Sequence, residues 1–232
     1  GLLAANSTSD LLMDYKVEHP EAYNQLIQYL FGGERPIMNH VKLEMGNDRN
    51  TSTGAQTCTK RTQDEKSNVT RDPSWQLAAD AKKVNPKVKV SLLKWCAPAW
   101  ANTAQKQYQW YKESILAAYE TYGYMVDYIN PNTNERWSET GDPDNTKQWA
   151  KWIAQEDETT IPDADALAAY HKIKLVISDE AGTVSDSVAD ALQKDQEFMD
   201  ATDVVGYHYS PWDDTKGRMK WLADEVDKEV WN

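Results

Sequence analysis

A chain of 232 residues is long enough for one barrel-sized domain or two small ones, and 40% hydrophobic residues with 10% aromatics are ample for a packed core. A net charge of −12 leaves no basic stripe to neutralise phosphates, which argues against nucleic acid and anionic membranes as partners. No apolar run is long enough to cross a bilayer, so no membrane insertion is expected; two cysteines and four scattered histidines predict neither a disulfide scaffold nor a metal or other cofactor site.

Taken in chain order, the opening Gly1 to Asn6 lacks the basic n-region of a signal peptide and reads as a start inside a domain. Glu21 to Phe31 puts Tyr23, Leu26, Ile27, Leu30 and Phe31 on one helical face, and Ile37 to Met45 reads as a strand ending at Gly46-Asn47-Asp48. Arg49 to Asp72 carries no core pattern and predicts a long loop. Pro73 to Val84 is helical, with Pro at its start and Asn85-Pro86 as its stop. Val88 to Leu93 is a strand closed by Lys94-Trp95-Cys96-Ala97-Pro98-Ala99-Trp100, and Gln105 to Tyr122 is a long amphipathic helix. Tyr124 to Ile129 predicts the next strand, leading through Asn130-Pro131-Asn132-Thr133 to Asn134-Glu135. After an insertion-like polar stretch, Ser138 to Asp163, the pattern resumes. A helix is expected over Ala164 to Tyr170, a strand over Ile173 to Ile177, a helix over Val188 to Met199 and a strand over Val204 to Tyr209. A last helix, Gly217 to Val226, leads to Glu229-Val230-Trp231-Asn232.

Strands alternating with helices imply βαβ units and parallel pairing, and no G-x-G-x-x-G turn favours a nucleotide fold. The expectation is an α/β fold, a partial (β/α)8 TIM barrel covering about strands 2 to 7, as one domain over residues 1–232. At least one strand is expected before Gly1 and one or two after Asn232, so the remainder of a longer chain would complete the barrel. Asn6-Ser7-Thr8, Asn50-Thr51-Ser52 and Asn68-Val69-Thr70 fit the N-glycosylation pattern, which matters only in a secretory setting.

In a barrel, function gathers where strands end. Asp48, Asn50, Thr51 and Ser52 follow one strand here, and Trp95 and Trp100 another. Asn134 and Glu135 follow the next, then Asp179 and Glu180, then His208, Tyr209 and Trp212. Carboxylates among aromatics suit sugars: ring faces pack on the C–H faces of pyranoses while carboxyls do acid/base work. Asn134-Glu135 is the sharpest pair, since a retaining glycosidase needs a carboxylic acid at the glycosidic oxygen and a donor at the sugar 2-hydroxyl. Plainer roles stand beside these. Trp95 and Trp100 could be core aromatics, His208 a satisfied core histidine, Thr51 and Ser52 loop hydroxyls, and Asp179 and Glu180 loop caps. Cys58 and Cys96 lie in adjacent strand-end loops, where a disulfide is conceivable.

Six segments resemble the galactosylceramidase (galactocerebrosidase) family of retaining glycosidases, in that family's order and along nearly the whole chain. They are Leu43-Glu44-Met45-Gly46-Asn47-Asp48, Trp95-Cys96-Ala97-Pro98-Ala99-Trp100, Asp127-Tyr128-Ile129, Asn134-Glu135-Arg136, Ile177-Ser178-Asp179 and Val205-Gly206-Tyr207-His208-Tyr209. The resemblance implies hydrolysis of β-galactosides with retention, with a carbohydrate or glycolipid as substrate. By this match Glu135 is the acid/base and Asn134 its 2-hydroxyl partner. Trp95 and Ser52 fall at substrate-binding positions, the latter where the family has Thr, and Thr51, Asp48, His208 and Tyr209 are further candidates. The family nucleophile, a Glu closely following a Trp on the seventh strand, is expected just beyond Asn232, so residues 1–232 alone are expected to be inactive. The location implied is of secretory type: extracellular, cell surface or lysosomal. Asn130 to Thr133 and the long Ser138 to Asp163 stretch depart from the family pattern and put the aglycone in doubt. Two alternatives remain open: a related barrel glycosidase with another sugar, or a non-catalytic carbohydrate-binding module.

Overall fold

The computed structural model describes residues 1–232 except 52–53, 138–141, 181–183, 208–213, 215 and 232, and except the side chains of 50, 51 and 185. Residues 1–127 and 128–232 form two compact units.

The first unit opens with strand β1 (Leu2–Ala5), followed by helices α1 (Ser9–Glu18) and α2 (Pro20–Phe31). Pro20 begins α2 and forces His19 off the helical path (φ −135°, ψ 62°), because the residue before a proline is barred from the α region. Strand β2 (His40–Met45) follows, then a two-residue hairpin, β3 (Asn50–Thr51) with β4 (Gly54–Ala55), and a 3₁₀ turn at Val69–Arg71. Helix α3 (Pro73–Val84), strand β5 (Lys89–Lys94) and helix α4 (Ala104–Tyr122) complete the unit. The parallel order is β1-β2-β5, with Ala5 beside Leu43 and Leu43 beside Leu92.

Each helix buries the stripe that its spacing provides. Tyr23, Ile27 and Phe31 of α2 are buried at four-residue steps, and α4 buries Tyr108, Tyr111, Ile115 and Ala118. Asp72 caps α3 by accepting from the Ser74 amide at 2.9 Å, with Pro73 in the first turn. Gly123, at φ +75°, ends α4 in the left-handed region. The expected long loop, Arg49 to Asp72, is packed rather than solvated. Cys58, Thr59 and Lys60 are buried, and they are satisfied by polar partners instead of apolar neighbours: Thr59 and Ser114 hydroxyls meet at 2.8 Å and Lys60 pairs with Glu113.

The second unit runs β6 (Tyr128–Thr133), α5 (Asp142–Gln155), α6 (Ala164–Tyr170), β7 (Lys174–Glu180), α7 (Val184–Lys194), α8 (Gln196–Ala201), β8 (Val204–Tyr207), α9 (Arg218–Asp224) and β9 (Glu229–Trp231). Its parallel order is β6-β7-β8-β9. Alternation gives this sheet two apolar faces. Tyr128, Val176 and Val204 form one layer with Trp231, whose ring meets Tyr128 edge-on at 4.7 Å. Ile177, Val205 and Tyr207 form the other, beneath Val188, Ala189 and Leu192 of α7, Phe198 and Met199 of α8, and Met219 and Leu222 of α9.

Several boundaries differ from expectation. Leu2–Ala5 is a strand that sequence pattern did not reveal. The strand expected over Tyr124 to Ile129 lies four residues later, so Asn130-Pro131-Asn132-Thr133 is strand rather than lead-in. The polar stretch Ser138 to Asp163 contains a full helix, α5, and the helix expected over Val188 to Met199 is broken at Asp195, whose side chain caps α8.

Candidate active site

Strand β6 delivers Asn134 and Glu135 directly from its C-terminal end. Its polar residues are tolerated because neighbouring side chains satisfy them. Asn130 Oδ1 accepts from the Asn132 amide (2.9 Å), and Asn132 Nδ2 donates to Thr146 Oγ1 (3.0 Å). Asn145 Nδ2 donates to the Pro131 carbonyl (2.9 Å) and to Asn132 Oδ1 (2.8 Å). Helix α5 thus supplies much of what holds the end of this strand. Immediately after it the chain turns sharply. Glu135 adopts a left-handed conformation, φ 55°, which costs energy for a residue with a Cβ, and its side chain is exposed.

Asn134 is 1% exposed, and neither Oδ1 nor Nδ2 finds a partner among the described residues. A buried unpaired amide costs about 1–3 kcal/mol. On the far side of the turn, the Trp137 amide donates to Glu180 Oε1 at 2.6 Å, and the Trp137 ring packs on Phe198, centroids 5.9 Å apart.

The first unit gathers its own polar group at strand ends. Glu44, the one carboxylate in β2, is 9% exposed and is hydrogen-bonded by the side chains of Trp95, just past β5, and Asn6, just past β1. Burial pushes its carboxyl above the usual carboxylate range, while the bonds from Trp95 and Asn6 act the other way; Oε2 has no partner among the described residues. Trp95 is half-buried. The composition of β2 holds the signal that could have found Glu44: a lone carboxylate near the end of a strand whose apolar residues, Val41, Leu43 and Met45, are buried. Asn6 is itself buried, and its Oδ1 accepts from Thr8 N and Oγ1 (3.1 and 2.7 Å), so its glycosylation motif is folded away.

Other candidates fall as follows. Asp48, at φ 63°, is clamped by Arg61 (2.8 and 3.0 Å) and accepts from the Cys58 amide (3.1 Å); the Arg61 bonds hold its carboxyl below the usual range. Trp100 donates its indole N–H to the Lys60 carbonyl at 2.9 Å. Thr51 lies in β3, and its side chain is outside the described residues, as are Ser52, His208, Tyr209 and Trp212. Cys58 and Cys96 are both free thiols, the first buried and the second exposed. No helix is long and apolar enough to cross a membrane, among the described residues.

The fold matches solved structures. SrfJ of Salmonella typhimurium aligns over 99% of this chain and 54% of its own, with TM-score 0.74 at 13% identity. An endo-β1,6-glucanase aligns over 99% and 55%, with TM-score 0.67 at 12% identity. The architecture is therefore that of a partial (β/α)8 barrel, a fold in which strand ends carry the working residues.

The chain belongs to glycosyl hydrolase family 59, whose model matches residues 1–232. Among curated relatives, galactocerebrosidase of Danio rerio is 28% identical over 221 residues, covering 90% of this chain and 29% of that protein. The Homo sapiens galactocerebrosidase is 26% identical over 239 residues, covering 94% and 31%. The chain thus spans about 30% of the length of the curated relatives it matches.

Proposed function

We propose that this chain is part of the catalytic barrel of a longer secretory-type enzyme that hydrolyses β-galactosides by double displacement, with Glu135 as acid/base and Asn134 as the donor to the sugar 2-hydroxyl. Family membership and the galactocerebrosidase relatives support the galactoside. The local observation that supports the roles is the Asn134–Glu135 turn: a buried amide without a partner among the described residues, next to an exposed carboxyl held at φ 55°. Glu135 protonates the leaving oxygen as the glycosyl–enzyme bond forms, then takes a proton from the water that breaks it. Asn134 bonds the 2-hydroxyl, where the interaction strengthens as the ring takes on oxocarbenium character. The second carboxyl must lie about 5–5.5 Å from the first for retention. In this proposal the sequence following Trp231, the last residue of β9, carries it.

The test is leaving-group dependence in the full-length protein. Glu135→Gln should keep most of its kcat/KM, which reports the first step, on aryl β-galactosides with acidic leaving groups, which need little protonation, and lose most of it on alkyl or lipid galactosides; its turnover should fall on both, because the second step needs the base whatever group has left. Equal losses of kcat/KM on both classes would remove Glu135 from the role.

A further inference from the structure

We propose that Glu180 is a positioning residue for the acid/base: a bulge at the end of β7 aims its carboxylate at the backbone N–H of Trp137 and so fixes the turn that presents Glu135. This rests on the role given to Glu135 above.

In β7, Val176 faces the Tyr128 layer and Ile177 faces the helices, so simple alternation would put Ser178 and Glu180 on the Val176 face. The strand does something else. Ser178 and Asp179 both take left-handed backbone conformations, φ 72° and 66°, and the register slips so that Ser178 lies opposite Gly206 while Glu180 lies opposite Tyr207. One extra residue reverses the facing of everything after it. Glu180 leaves the Val176 face for that of Tyr207, on the helix side, where Trp137 also packs. Two successive left-handed residues with side chains are unfavourable, and they persist only where the surroundings over-determine them. Gly206 is part of those surroundings: a Cβ there would come within 3.1 Å of Asp179 N and 3.2 Å of its Cα.

What the bulge produces is a 6% exposed carboxylate whose Oε1 accepts the Trp137 N–H at 2.6 Å. A buried carboxylate carries a desolvation cost. It also holds the Trp137 N–H still, since charge-assisted bonds are short and strong. Trp137 is two residues beyond Glu135, and its ring is seated on Phe198. The turn is therefore pinned on one side by buried Asn134 and on the other by Trp137, with Glu135 between. An acid that must later serve as base from the same place needs that constancy, and displacement by about 1 Å can cost roughly a hundredfold in rate.

The test uses the full-length protein and two readouts. Glu180→Ala should lose about a hundredfold in kcat/KM on an alkyl β-galactoside and only a few-fold in kcat/KM on an aryl galactoside with a good leaving group, whose first step needs little help from the acid. Glu180→Gln, which can still accept the Trp137 N–H, should recover most of the loss. Hydrogen exchange at the Trp137 amide should be about tenfold faster in Glu180→Ala. If that variant fails to fold, Gly206→Ala carries the test, since it crowds Asp179 from β8 and should show the same leaving-group split. Equal losses on both substrate classes, in a protein whose Glu135→Gln variant does show the split, would overturn the positioning role and leave Glu135 in place. Unchanged Trp137 exchange in Glu180→Ala would overturn it whatever the activity. If Glu135→Gln shows no split, the acid/base assignment fails and this inference falls with it.

Discussion

Replacing Asn134 by alanine should separate stability from activity. The residue is 1% exposed and its amide has no partner among the described residues, so the folded state bears a desolvation cost of about 1–3 kcal/mol that alanine removes. Truncation also leaves a small cavity, worth about 1–2 kcal/mol in the opposite direction. The two nearly cancel, and the melting temperature of the full-length protein should move by no more than a few degrees. A fully bonded buried asparagine would behave differently, because its orphaned partners would add their own penalty to the cavity. Activity should fall far more. Losing a donor that strengthens its bond in the transition state costs roughly 10²–10³-fold, or about 3–4 kcal/mol. The control is a 2-deoxygalactoside, which lacks the hydroxyl that Asn134 is assigned to bond. Wild type should discriminate strongly between galactoside and 2-deoxygalactoside, and Asn134→Ala should discriminate much less. A large drop in melting temperature, or unchanged discrimination, would refute the reasoning.

Two further predictions concern the first unit. A Cβ on Gly46 would sit 2.3 Å from the Gln56 carbonyl oxygen and 2.6 Å from that of Thr57, both backbone atoms. Gly46→Ala should therefore destabilise by about 3 kcal/mol and open the 46–61 segment to trypsin at Arg49 and Arg61; a wild-type melting temperature and digestion pattern would contradict this. Asp72 is fully buried, and burial raises its carboxyl to about 6 from the ordinary 3.8. The folded state holds this proton more tightly than the unfolded chain, so the Asp72 contribution is most favourable below pH 4 and falls as pH rises through about 6. The shift corresponds to about 3 kcal/mol. Asp72→Asn, which can still cap α3, should gain stability relative to wild type by about that amount between pH 4 and 6.5 in denaturant titrations. A difference independent of pH would show that burial does not govern this carboxyl.

What was legible in the sequence follows from where the information lies. Helix α3 was read to the residue because its signals are local: Pro73 in the first turn and Asn85-Pro86 as the stop. Helix α5 was not, because its buried face is Asp142, Thr146, Trp149 and Ile153, with only two apolar residues to mark the period. That miss carried into β6. Asn130-Pro131-Asn132 resembles a loop until Asn145 and Thr146 of α5 are there to bond it, and tertiary contacts then override propensity. The Asn134-Glu135 pair stands out in the sequence both by its place after a strand and by resemblance. Glu44 was overlooked within its strand. The facing of Glu180 could not be read, because alternation assigns it to the other face of β7, and the bulge that reverses it is accommodated by a glycine on a different strand.

The role of Glu135 is tested most directly by chemical rescue of Glu135→Ala in the full-length protein, with an activated aryl β-galactoside and added azide. If Glu135 is the acid/base, the glycosyl–enzyme still forms on the good leaving group, and azide attacks it from the face that the missing carboxyl once served. The account expects azide to accelerate turnover and the product to be β-galactosyl azide, the configuration retained through two inversions. An α-galactosyl azide, the product of a single inversion, would make Glu135 the nucleophile instead, and no azide product with no rescue would remove it from the catalytic pair.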